Sequence, residues 1–397
     1  MEDIVCDGCA LLCDDVSIEI KGNEVTSLGF CRLGHTHTET VLKNLKVDKQ
    51  DIEKIAEMLH TAESPLLFGW SRTSNETIKE GLALAKATGA AFDSSTNMGL
   101  TQSMSHDIHK MKLDCDLEHV RNNGEFIIYW GSNPTESCHR HPSRFAVLPR
   151  GDKIPEGVES RTIGIVDVRE TETMKMGNHR TIIESGSDTE LIDALIGDIA
   201  GTSSITDSVV GVPASELMGF VSALKKSDCT IIFYGTGILN SGHADANLTS
   251  LLNLIKTLRD LGKEAYALPM WFSGNAMGVI KETQLKESSL KKLVDGEFDV
   301  ALVVGEDALS ILPGTAARAL AKTKLIYIGP KGGLTDRKAT VAIHTSDNIA
   351  VGSGTMTRID MVDIELTAGA IDNSQSTSMF DIITSLHNVL KSKQGGK

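Results

Sequence analysis

The feature that most constrains this fold is a series of short, unbroken apolar runs separated by stretches with helical spacing. Pro65-Leu-Leu-Phe-Gly-Trp70, Ala90-Ala-Phe-Asp93, Glu125-Phe-Ile-Ile-Tyr-Trp130 and Thr162-Ile-Gly-Ile-Val-Asp167 form a first set. Cys229-Thr-Ile-Ile-Phe-Tyr234, Glu264-Ala-Tyr-Ala-Leu268, Asp299-Val-Ala-Leu-Val-Val304, Lys324-Leu-Ile-Tyr-Ile328 and Thr340-Val-Ala-Ile-His344 form a second. Between them, Ile52 to Leu59, Asn75 to Thr88 and Ala244 to Leu261 place apolar residues on one helical side, as Ile78, Leu82, Leu84 and Ala85 do. A strand apolar at consecutive positions is buried on both faces, so strands alternating with helices imply parallel sheets covered by helices. The expected class is α/β, with two doubly wound regions and the polar stretch Gly201 to Ser208 near their junction. Glycine reaches 36 residues while aromatics are only 4%, a balance that suits strand-to-helix turns better than an all-β sandwich.

Charge narrows the function classes. With 39 basic against 53 acidic residues the formal charge is −14, which repels a phosphate backbone on average, so no nucleic-acid partner is expected. No window of about 18 apolar residues marks a membrane span. Met1-Glu2-Asp3 lacks the basic and apolar regions of a signal peptide. A cytoplasmic protein that does not engage a membrane is expected.

Seven cysteines are present, and four of them, Cys6, Cys9, Cys13 and Cys31, crowd into the first 31 residues. An odd count without a secretion signal argues against a disulfide framework and for a metal site. The spacing Cys-x2-Cys-x3-Cys-x17-Cys satisfies the ligand count of a [4Fe-4S] cube or a tetrahedral zinc. The broken second pair departs from the two Cys-x2-Cys knuckles of a zinc ribbon and favours iron–sulfur. Buried cysteines without metal are the bland alternative, which poorly explains four thiols interleaved with Asp7, Gly8, Asp14 and Asp15. Val16 to Ile20 and Val25 to Leu28 flank Lys21-Gly-Asn-Glu24 and predict a hairpin beside them.

Glycine-rich turns follow several strands: Gly131-Ser-Asn-Pro134, Gly235-Thr-Gly237, Gly305-Glu-Asp307 and Gly329-Pro-Lys-Gly-Gly333. At the carboxyl end of a parallel strand such turns admit a phosphate or a flat heterocycle, although many of them bind nothing. Gly131, Asn133, Gly235 and Gly237 are therefore candidate cofactor-binding residues, as is Asp167, which ends its strand where an acid commonly holds a ribose or a guanine-like edge. Arg169 and Arg144 complete the set. The loop Cys138-His-Arg-His-Pro-Ser-Arg144 suits charge-assisted contacts to an anion better than zinc, against a solvated basic loop as the plain alternative. No Gly-x-Ser-x-Gly elbow supports a Ser/His/Asp hydrolase.

Taken in order, these segments resemble the B-type subunit of formylmethanofuran dehydrogenase, a member of the molybdopterin oxidoreductase superfamily. The residues that carry the resemblance are Cys6-Asp-Gly-Cys-Ala-Leu-Leu-Cys-Asp-Asp15, Cys31-Arg-Leu-Gly-His35, Leu67-Phe-Gly-Trp70 and Tyr129-Trp-Gly-Ser-Asn-Pro134. His139-Arg-His141 with Arg144, Val166-Asp-Val-Arg169, Phe233-Tyr-Gly-Thr-Gly-Ile238 and Leu268-Pro-Met270 continue it to about residue 350. The resemblance implies a [4Fe-4S] cluster on Cys6, Cys9, Cys13 and Cys31, and a molybdopterin guanine dinucleotide with tungsten or molybdenum near Gly131, Asp167 and Gly235. The residue pattern divides the chain into a small N-terminal β module over residues 1–48, which would carry the iron–sulfur cluster, α/β regions over 49–205 and 206–355, and a C-terminal segment over 356–397 whose end, Lys391 to Lys397, is expected to fray. The superfamily's last domain is expected as a separate chain.

The resemblance also shows two departures. Where the family carries a Cys or selenocysteine metal ligand, this chain reads Asp93-Ser-Ser-Thr-Asn-Met-Gly-Leu-Thr101, so the ligand position falls on Met98 or Gly99. Where the family carries an active-site Arg after Pro269-Met270, this chain has Trp271. The expected function is that of a B-type subunit in a one-carbon complex interconverting carbon dioxide or formate with formylmethanofuran, with no catalytic residue assigned here. The alternative is a redox-inactive, structural B-type subunit of a formyltransferase/hydrolase complex. Either implies amidohydrolase-like, formyltransferase-like and molybdopterin C-terminal-domain-like partner subunits.

Overall fold

The computed structural model describes residues 2–21, 24–38, 47–98, 108, 110–271, 273–283, 288–345, 354–366 and 377–394. Its contacts gather the chain into two units. Unit 1 holds Met1–Met98, Ser273–Arg358 and Asp363–Lys397, and unit 2 holds Gly99–Phe272 with Ile359–Val362.

Unit 1 opens with β1 (Glu2–Cys6), β2 (Cys13–Lys21), β3 (Glu24–Leu28), β4 (Pro65–Gly69) and β5 (Ala91–Asp93). The chain then builds unit 2 with β6 (Phe126–Trp130), β7 (Thr162–Asp167), β8 (His179–Ile182), β9 (Cys229–Tyr234) and β10 (Glu264–Pro269). It returns to unit 1 with β11 (Val300–Val304), β12 (Lys324–Gly329), β13 (Val341–His344), β14 (Thr355–Thr357) and β15 (Asp363–Glu365). The hairpin expected at the N-terminus forms, with β2 antiparallel to β1 and β3; its turn residues Gly22 and Asn23 lie outside the described residues.

In unit 1 the parallel sheet runs β13-β12-β11-β4-β5. Its strands show why the runs are unbroken. Leu67, Leu302, Val304, Ile326 and Ile328 point into one buried cluster, while Leu66, Phe68, Ala301, Val303, Leu325 and Tyr327 point into another. Period-two alternation with both faces buried leaves no polar position. Helix Lys49–His60 adds Ile52, Ile55, Ala56 and Leu59 to the first cluster, and helix Asn75–Thr88 adds Ile78, Leu84 and Ala85.

In unit 2 the order is β10-β9-β6-β7-β8, also wholly parallel. Helices Asp188–Ala200, Ala214–Lys226 and Ala244–Asp260 present buried apolar stripes such as Leu248, Leu251, Leu252, Ile255 and Leu258.

Two features differ from the sequence pattern. The consecutive partition at 49–205 and 206–355 is replaced by interleaving: β4 and β5 pair in a sheet with strands more than 200 residues later, and the stretch Gly201 to Ser208 lies inside unit 2. A parallel strand accepts any neighbour whose crossover returns to the same edge, and hydropathy does not encode which one. The expected fraying of the last residues is corrected for Lys391 to Gln394, which continue helix Met379–Gln394. Met379, Ile382, Ile383, Leu386 and Leu390 of that helix belong to the unit 1 core, and Lys393 Nζ lies 2.6 Å from Glu57 Oε2. Gly395 to Lys397 lie outside the described residues. Among the described residues no helix is long and apolar enough to cross a membrane.

Candidate functional site

In unit 2 the chain moves outward from β6 through β7 to β8, then returns on the other side of β6 to lay down β9 and β10. The turns after β6 and β9 therefore leave in opposite directions, and a crevice opens at the carboxyl ends of adjacent strands, the usual ligand position in open α/β sheets. Gly131 follows β6 with φ 54°, a left-handed conformation that an L side chain rarely adopts. Its carbonyl accepts from the Gly237 N–H at 3.0 Å. A Cβ on Gly235 would sit 2.3 Å from the Gly131 carbonyl oxygen, and one on Gly237 would sit 2.8 Å from the Gly131 Cα. Two backbone turns thus touch where side chains would separate them.

Over these turns lies a cavity of about 450 Å³. Six of the seven residues expected to bind a cofactor line it: Gly131, Asn133, Asp167, Arg169, Gly235 and Gly237. Ser132, Glu136, Ser137, Val168, Thr236 and Met270 also line it and were missed by sequence reasoning. Ser132, Thr236 and Val168 sit within the recognised turns, so adjacency was a usable signal; Met270, just past β10, had only its place beyond a strand end.

The polar groups are set for contact rather than for bond breaking. The Asp167 carboxyl accepts from the Val168 N–H at 2.8 Å, and partial burial pushes its pKa above the usual carboxylate value. Arg169 and Glu136 stand 3.7 Å apart at the open rim. Ser132 is 5% exposed and its Oγ has no hydrogen-bond partner. The Asn133 side-chain oxygen Oδ1 accepts from Thr135 Oγ1 at 2.7 Å and from Thr173 Oγ1, while its buried Nδ2 is unpartnered. A ligand offering acceptors to these donors would satisfy both.

Arg144 does not join the cavity lining. It belongs to a π-helical turn, Pro142–Ala146, and its guanidinium lies 4.8 Å above the Phe145 ring. Two other members of that loop are drawn away from solvent. His141 is fully buried, with Nδ1 3.0 Å from Tyr129 Oη and its ring edge-on to Phe233, and burial pushes its pKa down to about 3. Cys138 is also fully buried, its Sγ 3.5 Å from the Trp271 carbonyl. Apolar rings nearby draw these side chains inward.

In unit 1 the fold brings the N-terminal cysteines into one neighbourhood. Cys6 and Cys13 face each other across β1 and β2, and Cys9 lies on the connecting loop. Burial, then Asp7 and the neighbouring Cys13 and Cys9 thiols, hold the Cys6 thiol well above its ordinary pKa. Cys31 precedes helix Arg32–Thr38, whose Gly34 packs on the loop: a Cβ there would stand 2.9 Å from Cys6 Sγ, and one on Gly8 3.1 Å from Gly34. Among the described residues no three of these thiols lie within 4.8 Å of one another. Tetrahedral zinc, about 2.3 Å from each sulfur, would hold them closer than that.

The departing positions have definite places. Met98 is partly buried against the core cluster of Leu66, Phe68 and Val303 in unit 1; Gly99 lies outside the described residues. Trp271, in unit 2, is 4% exposed and edge-on to Tyr234 at 6.4 Å.

The B-type subunit of a tungsten-containing formylmethanofuran dehydrogenase 2 of Methanocaldococcus jannaschii is 28% identical over 92% of this chain and 93% of its own length. The corresponding subunit of Methanococcus maripaludis is 25% identical over the same shares. This chain resembles the B-type subunits of formylmethanofuran dehydrogenases. The resemblance read from the cysteine loop and the glycine turns therefore extends over nearly the whole chain. No protein-family model matches the sequence. A chain in the crystal structure of the formyltransferase/hydrolase complex of Methylorubrum extorquens with methylofuran shares the fold, with a TM-score of 0.64 at 14% identity, over 88% of this chain and 98% of that one.

Proposed function

We propose that this chain is the B-type subunit of a formylmethanofuran dehydrogenase-class complex of one-carbon metabolism, working in the cytoplasm, with no reacting metal centre of its own. The observation that carries the reading is the ligand position, which falls on Met98 or Gly99: Met98 is partly buried against the unit 1 core, and neither a thioether nor a glycine replaces a thiolate. Neither residue offers a thiolate to tungsten or molybdenum, and no reaction step runs through such a metal. Trp271 presents a buried indole where the resemblance places a guanidinium, so formate or carbon dioxide has no cation to meet there.

The other cofactors fit better. The guanine dinucleotide part of the pterin cofactor matches a cavity floored by two glycine turns, with the Ser132 hydroxyl and Asn133 amide as donors and Asp167 for a ribose or guanine edge. Cys6, Cys9, Cys13 and Cys31 supply the four thiolates of a [4Fe-4S] cluster, in line with their spacing and with the resemblance. The cluster would supply one-electron transfer; the chain supplies its thiolates and the burial around them. The expected partners are amidohydrolase-like, formyltransferase-like and molybdopterin C-terminal-domain-like subunits.

Metal and pterin analysis of the purified complex, with a formate-oxidation assay, tests the proposal. Formate release from a formylated methanofuran without stoichiometric tungsten or molybdenum supports it, whereas either metal at one per chain with formate oxidation overturns it. The same two positions favour a second reading, a purely structural B-type subunit of a formyltransferase/hydrolase complex. A [4Fe-4S] resonance after dithionite reduction would argue against that second reading.

A further inference from the structure

At the amino ends of the unit 2 strands, opposite the cavity, three side chains from distant parts of the sequence converge. Cys229 begins β9 and Glu264 begins β10, and the two residues are register partners in the parallel ladder. His119 lies in helix Leu117–Asn123, whose first turn is fixed by the Asp116 carboxylate accepting from the His119 N–H at 2.7 Å. One ligand atom from each of His119, Cys229 and Glu264 lies within 4.8 Å of the other two.

Two of the three already touch, and Cys229 lies beside them. The buried His119 Nε2 is 3.1 Å from Glu264 Oε2, an ion pair when the imidazole is protonated but without hydrogen-bond geometry, so a cation between them would replace the proton. The Asn123 amide, 3.4 Å from Nδ1, and Tyr266, edge-on at 5.1 Å, fix the ring so that Nε2 faces the cluster. Lys153 Nζ takes the other Glu264 oxygen at 3.2 Å, leaving Oε2 on the cluster side. Cys229 is 1% exposed, and burial together with the Glu264 and Glu125 carboxylates pushes its thiol up to about 12. The negative field that opposes a bare thiolate there is the field that favours a dication, which would displace the proton.

We propose that His119, Cys229 and Glu264 form a mononuclear binding site for a borderline divalent cation of the zinc type. One imidazole nitrogen, one sulfur and one carboxylate oxygen match zinc's preferences, and three protein ligands leave a fourth position for water. The site is separate from the N-terminal cysteines and from the glycine-turn cavity, so it stands or falls independently of the proposed function.

The test is zinc uptake by the full-length chain after a chelator wash, measured by elemental analysis and by thermal unfolding with and without Zn²⁺. Comparison with His119→Gln, Glu264→Gln and Cys229→Ser, each retaining the four N-terminal cysteines, removes their contribution. The parent chain is expected to bind one more zinc than His119→Gln and Cys229→Ser and to gain melting temperature that they do not. Glu264→Gln is expected to bind at least about tenfold more weakly. Should Cys229→Ser fail to fold, the partly exposed His119 and Glu264 variants decide. Equal zinc uptake by the parent and His119→Gln, or no uptake by the parent beyond its N-terminal cysteines, overturns the proposal.

Discussion

Substituting Gly235 by Ala isolates the contact that builds the cavity floor. Gly235 has φ −110° and ψ −171°, extended values open to any residue, so alanine meets no conformational penalty there. It meets a steric one: the new methyl would sit 2.3 Å from the Gly131 carbonyl oxygen and 2.8 Å from the Ser132 Cα, both backbone atoms without a rotamer to yield. The turns must part, straining the Gly235 N–H to Trp130 carbonyl bond of 2.9 Å and the Gly237 N–H to Gly131 carbonyl bond of 3.0 Å. Overpacking costs about 1–3 kcal/mol and the two hydrogen bonds, weakened rather than lost, about 1 kcal/mol together, so about 2–4 kcal/mol is expected. At about 2–4 °C per kcal/mol for a body of this size, unit 2 should melt roughly 5–15 °C lower. Trp130 and Trp271 both lie in unit 2 and make tryptophan fluorescence a suitable assay. Gly242→Ala is the control, because Gly242 has φ +90° but nothing within 4 Å of an added Cβ, leaving a conformational cost of about 1–2 kcal/mol. If Gly235→Ala destabilises no more than Gly242→Ala, the contact reasoning is wrong.

Three further outcomes follow from other parts of the molecule. His141 is buried neutral with its pKa pushed down to about 3, so the unfolded chain binds the extra proton first and its contribution to stability is full above about pH 6.5 and falls as pH drops toward 3; His141→Gln should flatten the urea-unfolding profile by up to about 1.4 kcal/mol per pH unit in that window. Leu386→Ala, fully buried in the last helix, should cost about 2–5 kcal/mol in urea unfolding of unit 1; a loss below about 0.5 kcal/mol would mean the helix does not dock on the core. Cys31→Ser should lower iron and acid-labile sulfide in anaerobically purified protein well below the parent, and unchanged content would remove Cys31 from the ligand set.

Much of this was legible in the sequence because its causes are local. Val300 to Val304 reads as a doubly buried strand since each alternate residue has its own apolar cluster, and Gly131 and Gly235 read as turn residues since they interrupt such strands. What failed depends on distant neighbours. Nothing around Pro65 specifies Val300 as its ladder partner, so the interleaved units were invisible. Arg144 reads as an anion ligand by its company of histidines and arginines, whereas Tyr129 and Phe233 hold His141 of that loop in the core and the Arg144 guanidinium lies over Phe145. The His119, Cys229 and Glu264 cluster draws on three elements that only tertiary packing brings together.

The glycines that first suggested a dinucleotide are explained by the fold alone. Gly235 and Gly237 are required by the Gly131 backbone whether or not a ligand is present, so they weigh equally for a loaded and for an empty crevice. The discriminating groups are those the protein leaves unsatisfied: the Ser132 hydroxyl and the Asn133 Nδ2, both buried, both beside the cavity and both without a partner. A buried polar atom with no hydrogen bond costs about 1–3 kcal/mol, which a phosphate-bearing ligand or an ordered water would relieve. Replacing Ser132 by Ala should therefore leave a ligand-free chain as stable as before or more so, while weakening one that holds a phosphate-bearing ligand there. Unfolding measured before and after removal of bound small molecules separates the two states, and a Ser132→Ala chain that loses stability equally in both would return the crevice to ordinary turn packing.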